Sequence, residues 1–309
     1  MNKIFAGLIV SVLLLLSACS NEADSTSKNG DGKLKVTTTI AQIADGVKNI
    51  GGDKVEVQSL MGPGTDPHLY KATQSDISKL QGAEIIFYNG LNLEGKLHDI
   101  LEKMNEQKPV YAIAETIKED ELLDDVENNN AIDPHVWFDI DLWHQALETV
   151  KEGLIEADPD NGAYYEENAK QYFNKLNELK AYATEELTQI PEEQRVLVTA
   201  HDAFGYFGAA YNLEVMGLQG LSTDAEFGLG DVKHLVDTLA TREIKAVFVE
   251  SSISERSINA VIEGSQQKGH GVSIGGELYS DAMGEEGTEE GTYIGMYKHN
   301  VDTIAEALK

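Results

Sequence analysis

The sequence predicts an α/β protein of two lobes, each a mostly parallel four-stranded sheet with flanking helices, joined by one long spine helix. Short β-rich runs alternate with amphipathic stretches along the first part of the chain. A central segment of about 30 residues without an internal proline then reads as a single helix. Beyond it the alternation resumes, and the roughly 275 residues from 34 onward are enough to give two lobes real cores.

The first lobe, 34–157, has strand candidates at 34–40, 55–60, 84–88 and 110–114. Helical stretches lie near 41–50, 75–80 and 93–105, and Gly51-Gly52 supplies a stop for the first of them. Strands separated by helices pair in parallel and are covered on both faces. Asp158-Pro159 is a helix start, with Asp as cap and Pro at the first position. From there to about residue 188, apolar side chains recur at Tyr165, Ala169, Tyr172, Phe173, Leu176, Leu179 and Leu187. They mark one face of a helix about 45 Å long. We read 158–190 as one connecting helix, not two broken near Asn177. The second lobe, 191–309, has strand candidates at 195–200, 214–218, 246–250 and 272–274, with helices at 204–211, 231–242, 255–268 and 293–308. Its element order mirrors that of the first.

The start of the chain predicts export. Met1-Asn2-Lys3 precedes an apolar run over 4–16, which is short for a bilayer span. The run closes in Leu16-Ser17-Ala18-Cys19, which resembles the bacterial lipobox. That resemblance implies a signal peptide over 1–18 and lipid attachment at Cys19, the chain's only cysteine. A lone cysteine excludes an intramolecular disulfide. Residues 19–33, rich in Ser, Asn, Asp and Gly, read as a flexible tether. The expected location is extracytoplasmic, lipid-anchored to the outer face of the bacterial cell membrane. With 53 acids against 24 bases, a net charge of −29 argues against nucleic acid as a partner. The acids of 115–125 read as a solvated face.

The chemistry is concentrated in two triplets, Asp66-Pro67-His68 and Asp133-Pro134-His135. Imidazole is the commonest metal ligand. Proline fixes its own φ and biases its predecessor toward an extended shape, so each triplet aims a histidine from stiff backbone. The two aspartates are candidates to accept the second ring N–H of each histidine. His201 follows the apolar strand 196–200, and Asp281 follows a Gly-containing segment after the last strand. Ligands of open α/β sheets collect at the carboxyl ends of strands. One ion between the lobes would thus take three imidazoles and a carboxylate, two donors from each lobe. On residue type alone, Asp281 has rivals in Glu250, Glu226 and Asp224. His98, His144 and His234 sit in helical patterns beside acids, His270 in a turn and His299 in the last helix. All five read as non-ligands.

Four segments carry a family resemblance: Met61-Gly62-Pro63-Gly64-Thr65-Asp66-Pro67-His68, Asp133-Pro134-His135-Val136-Trp137, Thr199-Ala200-His201-Asp202-Ala203-Phe204 and Gly276-Glu277-Leu278-Tyr279-Ser280-Asp281. Together they resemble the metal-binding lipoproteins that feed bacterial ATP-driven manganese and zinc importers, closest to the manganese-binding lipoproteins of Bacillus-type bacteria. The resemblance covers about 34–309. It implies metal ligation by His68, His135, His201 and Asp281, and delivery to a membrane permease coupled to a cytoplasmic ATPase. The chain is expected to act as a monomer and not as an enzyme.

Two features bear on the ion. Some manganese members carry Glu where this chain has His201, and a third imidazole suits zinc at least as well. Zinc-dedicated members often carry a His-rich acidic loop, whereas 119–130 is acidic without a histidine. Weighing the whole chain, we expect Mn(II) as the transported ion, with zinc as the alternative. A zinc hydrolase would need an open coordination position and a base. A surface adhesin would need a repeat or long apolar patch, which the sequence lacks. Protons should compete for the imidazoles, weakening binding below about pH 6.

Overall fold

The computed structural model describes residues 32–125, 131–224 and 227–309. The signal segment, Cys19, nearly all of the tether, 126–130 of the acidic loop and Glu226 lie outside the described residues.

The first lobe is built on β1 (Leu34–Thr38), β2 (Val55–Ser59), β3 (Ile85–Tyr88) and β4 (Val110–Ala112), all parallel in the order β2-β1-β3-β4. Val36, Ile85, Ile86 and Phe87 are buried, as a sheet covered by helices requires. Its helices are α1 (Ala41–Gly51), α2 (Gln74–Gly82) and α3 (His98–Asn105). Helix α1 stops where the Gly pair predicts, with Gly52 at φ 55°. Thr73 and Asp76 form a capping box on α2. Helix α3 begins five residues later than expected. Leu91 and Asn92 take φ of 51° and 65°, and turns fill 93–97. A small antiparallel pair, β5 (Asp124–Asp125) with β6 (Ala131–Ile132), leads into the second triplet.

The connection after that triplet holds α4 (Ile140–Ala157), a helix to which the sequence reading gave no bounds although it placed His144 in a helical pattern. Asp139 caps it, accepting from the amides of Asp141 at 2.8 Å and Leu142 at 3.2 Å. A turn over Pro159–Asn161 then starts the spine helix, α5 (Gly162–Leu187), which is unbroken through Asn177. Asp158 holds that turn through side chains, accepting from Asn161 Nδ2 and the Tyr165 hydroxyl. Every apolar position predicted for the spine is buried. It packs on α1 and α4 and on the last helix of the chain, so elements of both lobes lie against it.

The second lobe has β7 (Val196–His201), α6 (Gly205–Tyr211), β8 (Glu214–Gln219), α7 (Leu229–Thr241), β9 (Ala246–Glu250), α8 (Arg256–Gln267), β10 (Ser273–Leu278) and α9 (Tyr293–Leu308). Its four strands form two parallel pairs, β7 with β8 and β9 with β10, where one four-stranded sheet was expected. Strand β7 still runs beside β9. At their carboxyl ends the Glu250 side chain takes the His201 amide at 2.9 Å, a bond that belongs to neither ladder.

An aromatic seam joins the lobes. Phe138 stacks on Phe204, and Trp143 on Tyr293. Hydroxyls of the second lobe reach carbonyls of the 133–138 segment: Tyr206 to Asp133 at 2.9 Å, Tyr293 to Trp137 at 2.7 Å and Tyr297 to Phe138 at 2.8 Å. The larger hydrophobic core accordingly runs through both lobes, with a smaller one under β7, β9, α7 and α8. No helix among the described residues is long and apolar enough to cross a membrane.

Candidate metal centre

All four predicted residues stand at the carboxyl ends of strands, three on the loops that follow and His201 as the last residue of its strand. His68 lies on the loop after β2, which extends the β2 ladder by Leu60 and Met61 amides bonding to Thr38 and Thr39. Asp66 turns this loop by accepting the His68 amide at 2.9 Å. His135 follows β6. Asp133 Oδ1 accepts both its amide at 2.9 Å and its Nδ1–H at 2.7 Å. His201 ends β7 with Nδ1 2.5 Å from Glu250 Oε2. Asp281 follows β10. The preceding carbonyl, of Ser280, accepts Trp137 Nε1–H at 3.2 Å.

The structure brings one donor atom of each residue within 4.8 Å of all the others. His68 Nε2 is 3.3 Å from His135 Nε2. Asp281 Oδ1 is 3.3 Å from His135 Nε2, and Oδ2 is 3.4 Å and 3.5 Å from His201 Nε2 and His68 Nε2. A tetrahedral ion with bonds of about 2.0–2.1 Å sets its donors about 3.3–3.4 Å apart, so the spacing suits a small divalent cation. The polar atoms themselves say the same. Both Asp281 oxygens and His201 Nε2 are buried without a hydrogen-bond partner among the described residues. Unpaired buried polar atoms are costly, and coordination satisfies them.

The electrostatics separate the histidines. Burial lowers the His68 imidazole to about 3, against a smaller upward pull from Asp281. Burial also lowers His135, but Asp133 and Asp281 outweigh it and raise the imidazole to about 9. His201 is raised for the same kind of reason, by Glu250 and Asp281 against burial. Asp281 is held well below the usual carboxylate range by His201 and His135, which overcome its desolvation. Without an ion the site thus balances its carboxylate with protonated imidazoles.

The two triplet aspartates do different things. Asp133 takes the ring N–H of its histidine, as predicted. Asp66 does not: its second oxygen accepts the Thr223 hydroxyl at 2.6 Å. Of the rival ligands, Glu250 serves His201 from outside, and Asp224 pairs with Lys96 at 2.8 Å. The other five histidines stand apart. His98 and His144 lie beside Glu102 and Glu148, His270 and His299 contact backbone carbonyls, and His234 is exposed.

One supporting residue escaped the sequence reading. Glu94 is buried where the order of the first sheet reverses, and it accepts from the Thr39 hydroxyl at 2.6 Å and the Asn89 amide at 2.8 Å. Asn89 Nδ2 in turn donates to the Pro134 carbonyl at 2.9 Å, steadying the backbone beside His135. Burial raises the Glu94 carboxyl, and these donors pull it back in part.

Comparison with known proteins agrees with this architecture. The manganese-binding lipoprotein MntA of Bacillus subtilis is 53% identical over 306 residues, covering 98% of this chain and 99% of that one. The zinc-binding protein TroA of Treponema pallidum is 45% identical over 299 residues, covering 97% and 96%. The solved structure of the periplasmic zinc-binding protein TroA from Treponema pallidum superposes with a TM-score of 0.87 at 46% identity, covering 90% of this chain and 99% of that one. The family model described as zinc-uptake complex component A, periplasmic, matches residues 36–307, and the chain belongs to that family.

Proposed function

We propose that this protein is an extracytoplasmic lipoprotein that captures Mn(II) and delivers it to the permease of an ATP-driven importer with a cytoplasmic ATPase. The observation that carries this reading is the convergence of four buried donors, among which both Asp281 oxygens and His201 Nε2 lack hydrogen-bond partners. His68, His135, His201 and Asp281 are the proposed ligands, and the ion is cargo. Cleavage before Cys19 and a lipid on its thiol would hold the chain at the membrane as a monomer, with 19–33 as tether. We take 34–157 and 191–309 as the two lobes and 158–190 as their connector.

Manganese is supported by the 53% identity to a manganese-binding lipoprotein and by Asp281, both of whose oxygens face the imidazoles. A carboxylate binding through both oxygens raises the coordination number, which suits manganese better than a closed tetrahedron does. The second reading is zinc. Three imidazoles and the 3.3–3.5 Å donor spacing favour it. Solution affinity does not decide, because zinc outranks manganese at most N/O sites. A hydrolytic role is disfavoured because the carboxylates touching the site histidines from outside, Asp133 and Glu250, are engaged with His135 and His201.

The test is metal accumulation in cells lacking the gene. Wild type should restore manganese uptake, and Asp281→Ala should not. Restored zinc uptake alone would make zinc the cargo. Restoration of neither would overturn the carrier reading.

A further inference from the structure

Three successive residues near the metal centre are left-handed. Gly90, Leu91 and Asn92 take φ of 85°, 51° and 65°. Asn tolerates that region, whereas a bulky Leu is an outlier there. Strain of this kind persists only where the surroundings hold it, and it points to a function. The holder is Glu94. Its Oε1 accepts the Asn89 amide at 2.8 Å and the Thr39 hydroxyl at 2.6 Å, and its Oε2 accepts the Gly90 amide at 3.2 Å. Glu115 takes the Leu91 amide at 3.3 Å on the exposed side. Two consecutive amides converging on one carboxylate form an anion nest. The nest lies where the first sheet reverses its order, the crevice in which open α/β sheets take up ligands. Here the chain's own carboxylate fills it. Glu94 is 3% exposed, so water competes poorly for these bonds.

The turn reaches the metal centre through Asn89. With its backbone amide on Glu94, Asn89 directs Nδ2 to the Pro134 carbonyl at 2.9 Å. That carbonyl and the His135 amide are the two polar ends of one peptide plane. Asp133 Oδ1 accepts the amide at 2.9 Å. The plane that carries His135 is therefore gripped at both ends, once from its own triplet and once from the first sheet. Held at one end only, it would pivot and carry the imidazole out of its 3.3 Å spacing from His68 Nε2 and Asp281 Oδ1.

We propose that Glu94 is a positioning residue for cargo binding and acts as a built-in anion. Its carboxylate folds 89–92 into the left-handed turn, the turn aims Asn89, and Asn89 fixes the peptide plane that sets the His135 imidazole in the cage. This inference rests on the metal-carrier reading.

The test compares the wild-type chain with Glu94→Ala, Glu94→Gln and the double variant Asn89→Ala/Glu94→Ala. Dissociation constants for Mn(II), and separately for Zn(II), are measured by calorimetry below the melting temperature of every variant. Formate is titrated in at an ionic strength held constant with sodium chloride, and wild type sets the baseline at each formate concentration. Glu94→Ala empties the nest and should weaken both ions about tenfold. Formate should refill the nest and restore wild-type affinity with saturation. It should do nothing for Glu94→Gln, whose amide still occupies the space while turning N–H groups toward the backbone donors. It should do nothing for the double variant, which lacks the arm that reaches Pro134. Wild-type affinity in Glu94→Ala or Glu94→Gln overturns the proposal, and the Gln variant decides alone if the Ala variant does not fold. Formate that leaves Glu94→Ala weak, that raises only its melting temperature, or that tightens the double variant equally also overturns it. In each of these cases the carrier reading stands. A wild-type protein that holds neither ion overturns the carrier reading itself.

Discussion

At the scale of single residues, the carboxylates behind the histidines set how cargo competes with protons. His135 is raised to about 9 because Asp133 and Asp281 outweigh its burial, and His201 is raised by Glu250 and Asp281. A raised imidazole keeps its proton below the folded value. Its stabilisation of the metal-free protein is complete below about 6.5 and is lost as pH rises through about 9. Metal must displace these protons, so affinity should climb with pH well past 7. Weakening below about pH 6 is what unperturbed imidazoles give, and the raised His135 extends the competition to higher pH. Because binding displaces protons from raised imidazoles, affinity should rise by up to about tenfold per pH unit for each proton released. Calorimetric titration in buffers of different ionisation enthalpy checks this, and binding without proton release would contradict it. The three histidines that the fold brings together with Asp281 were legible because two rigid triplets and a strand-end position announce them locally, whereas residue type alone left Asp281 with rivals. Glu94 was not legible, since it reaches Thr39 from 55 positions away and no local pattern encodes that.

At the scale of elements, periodicity located the strands and the spine, and boundaries slipped where the backbone did something local. Leu91 and Asn92 adopt left-handed φ, which delays α3. Helix α4 received no bounds beyond the helical pattern around His144, although Asp139 caps it and Trp143, Leu147, Val150 and Leu154 line its buried face. The cap has a measurable weight. Asp139→Ala leaves the Asp141 and Leu142 amides without their acceptor, at a cost of about 1 kcal/mol. Thermal melting of the metal-free variant should drop by about 2–4 °C for a protein of this size. An unchanged melting temperature would show that the start of α4 adds nothing to stability.

At the scale of the whole molecule, the two-lobe plan was legible from the alternation on either side of an unbroken spine. The seam that joins the lobes was not. It is made by side chains reaching backbone carbonyls across 73, 143 and 156 positions, which no periodicity reveals. The same bonds make one cooperative body of two lobes, so cargo should stabilise the whole. An ion at a hundredfold excess over its dissociation constant adds about 2.7 kcal/mol by mass action. One transition should move up with Mn(II) or Zn(II), and chelator should return it. A split into two transitions, only one of them metal-sensitive, would show that the lobes unfold separately.

The seam has one more consequence, an optical one. The chain has two tryptophans, and the seam places them in contrasting surroundings. Trp137 meets the His135 ring edge-on, with centroids 5.3 Å apart, whereas Trp143 stacks on Tyr293. A protonated imidazole quenches indole emission, and cargo replaces that proton with a bound ion. Trp137 is therefore a built-in fluorophore at the ligand cage and Trp143 an internal reference, so loading can be followed in the unlabelled protein by light alone.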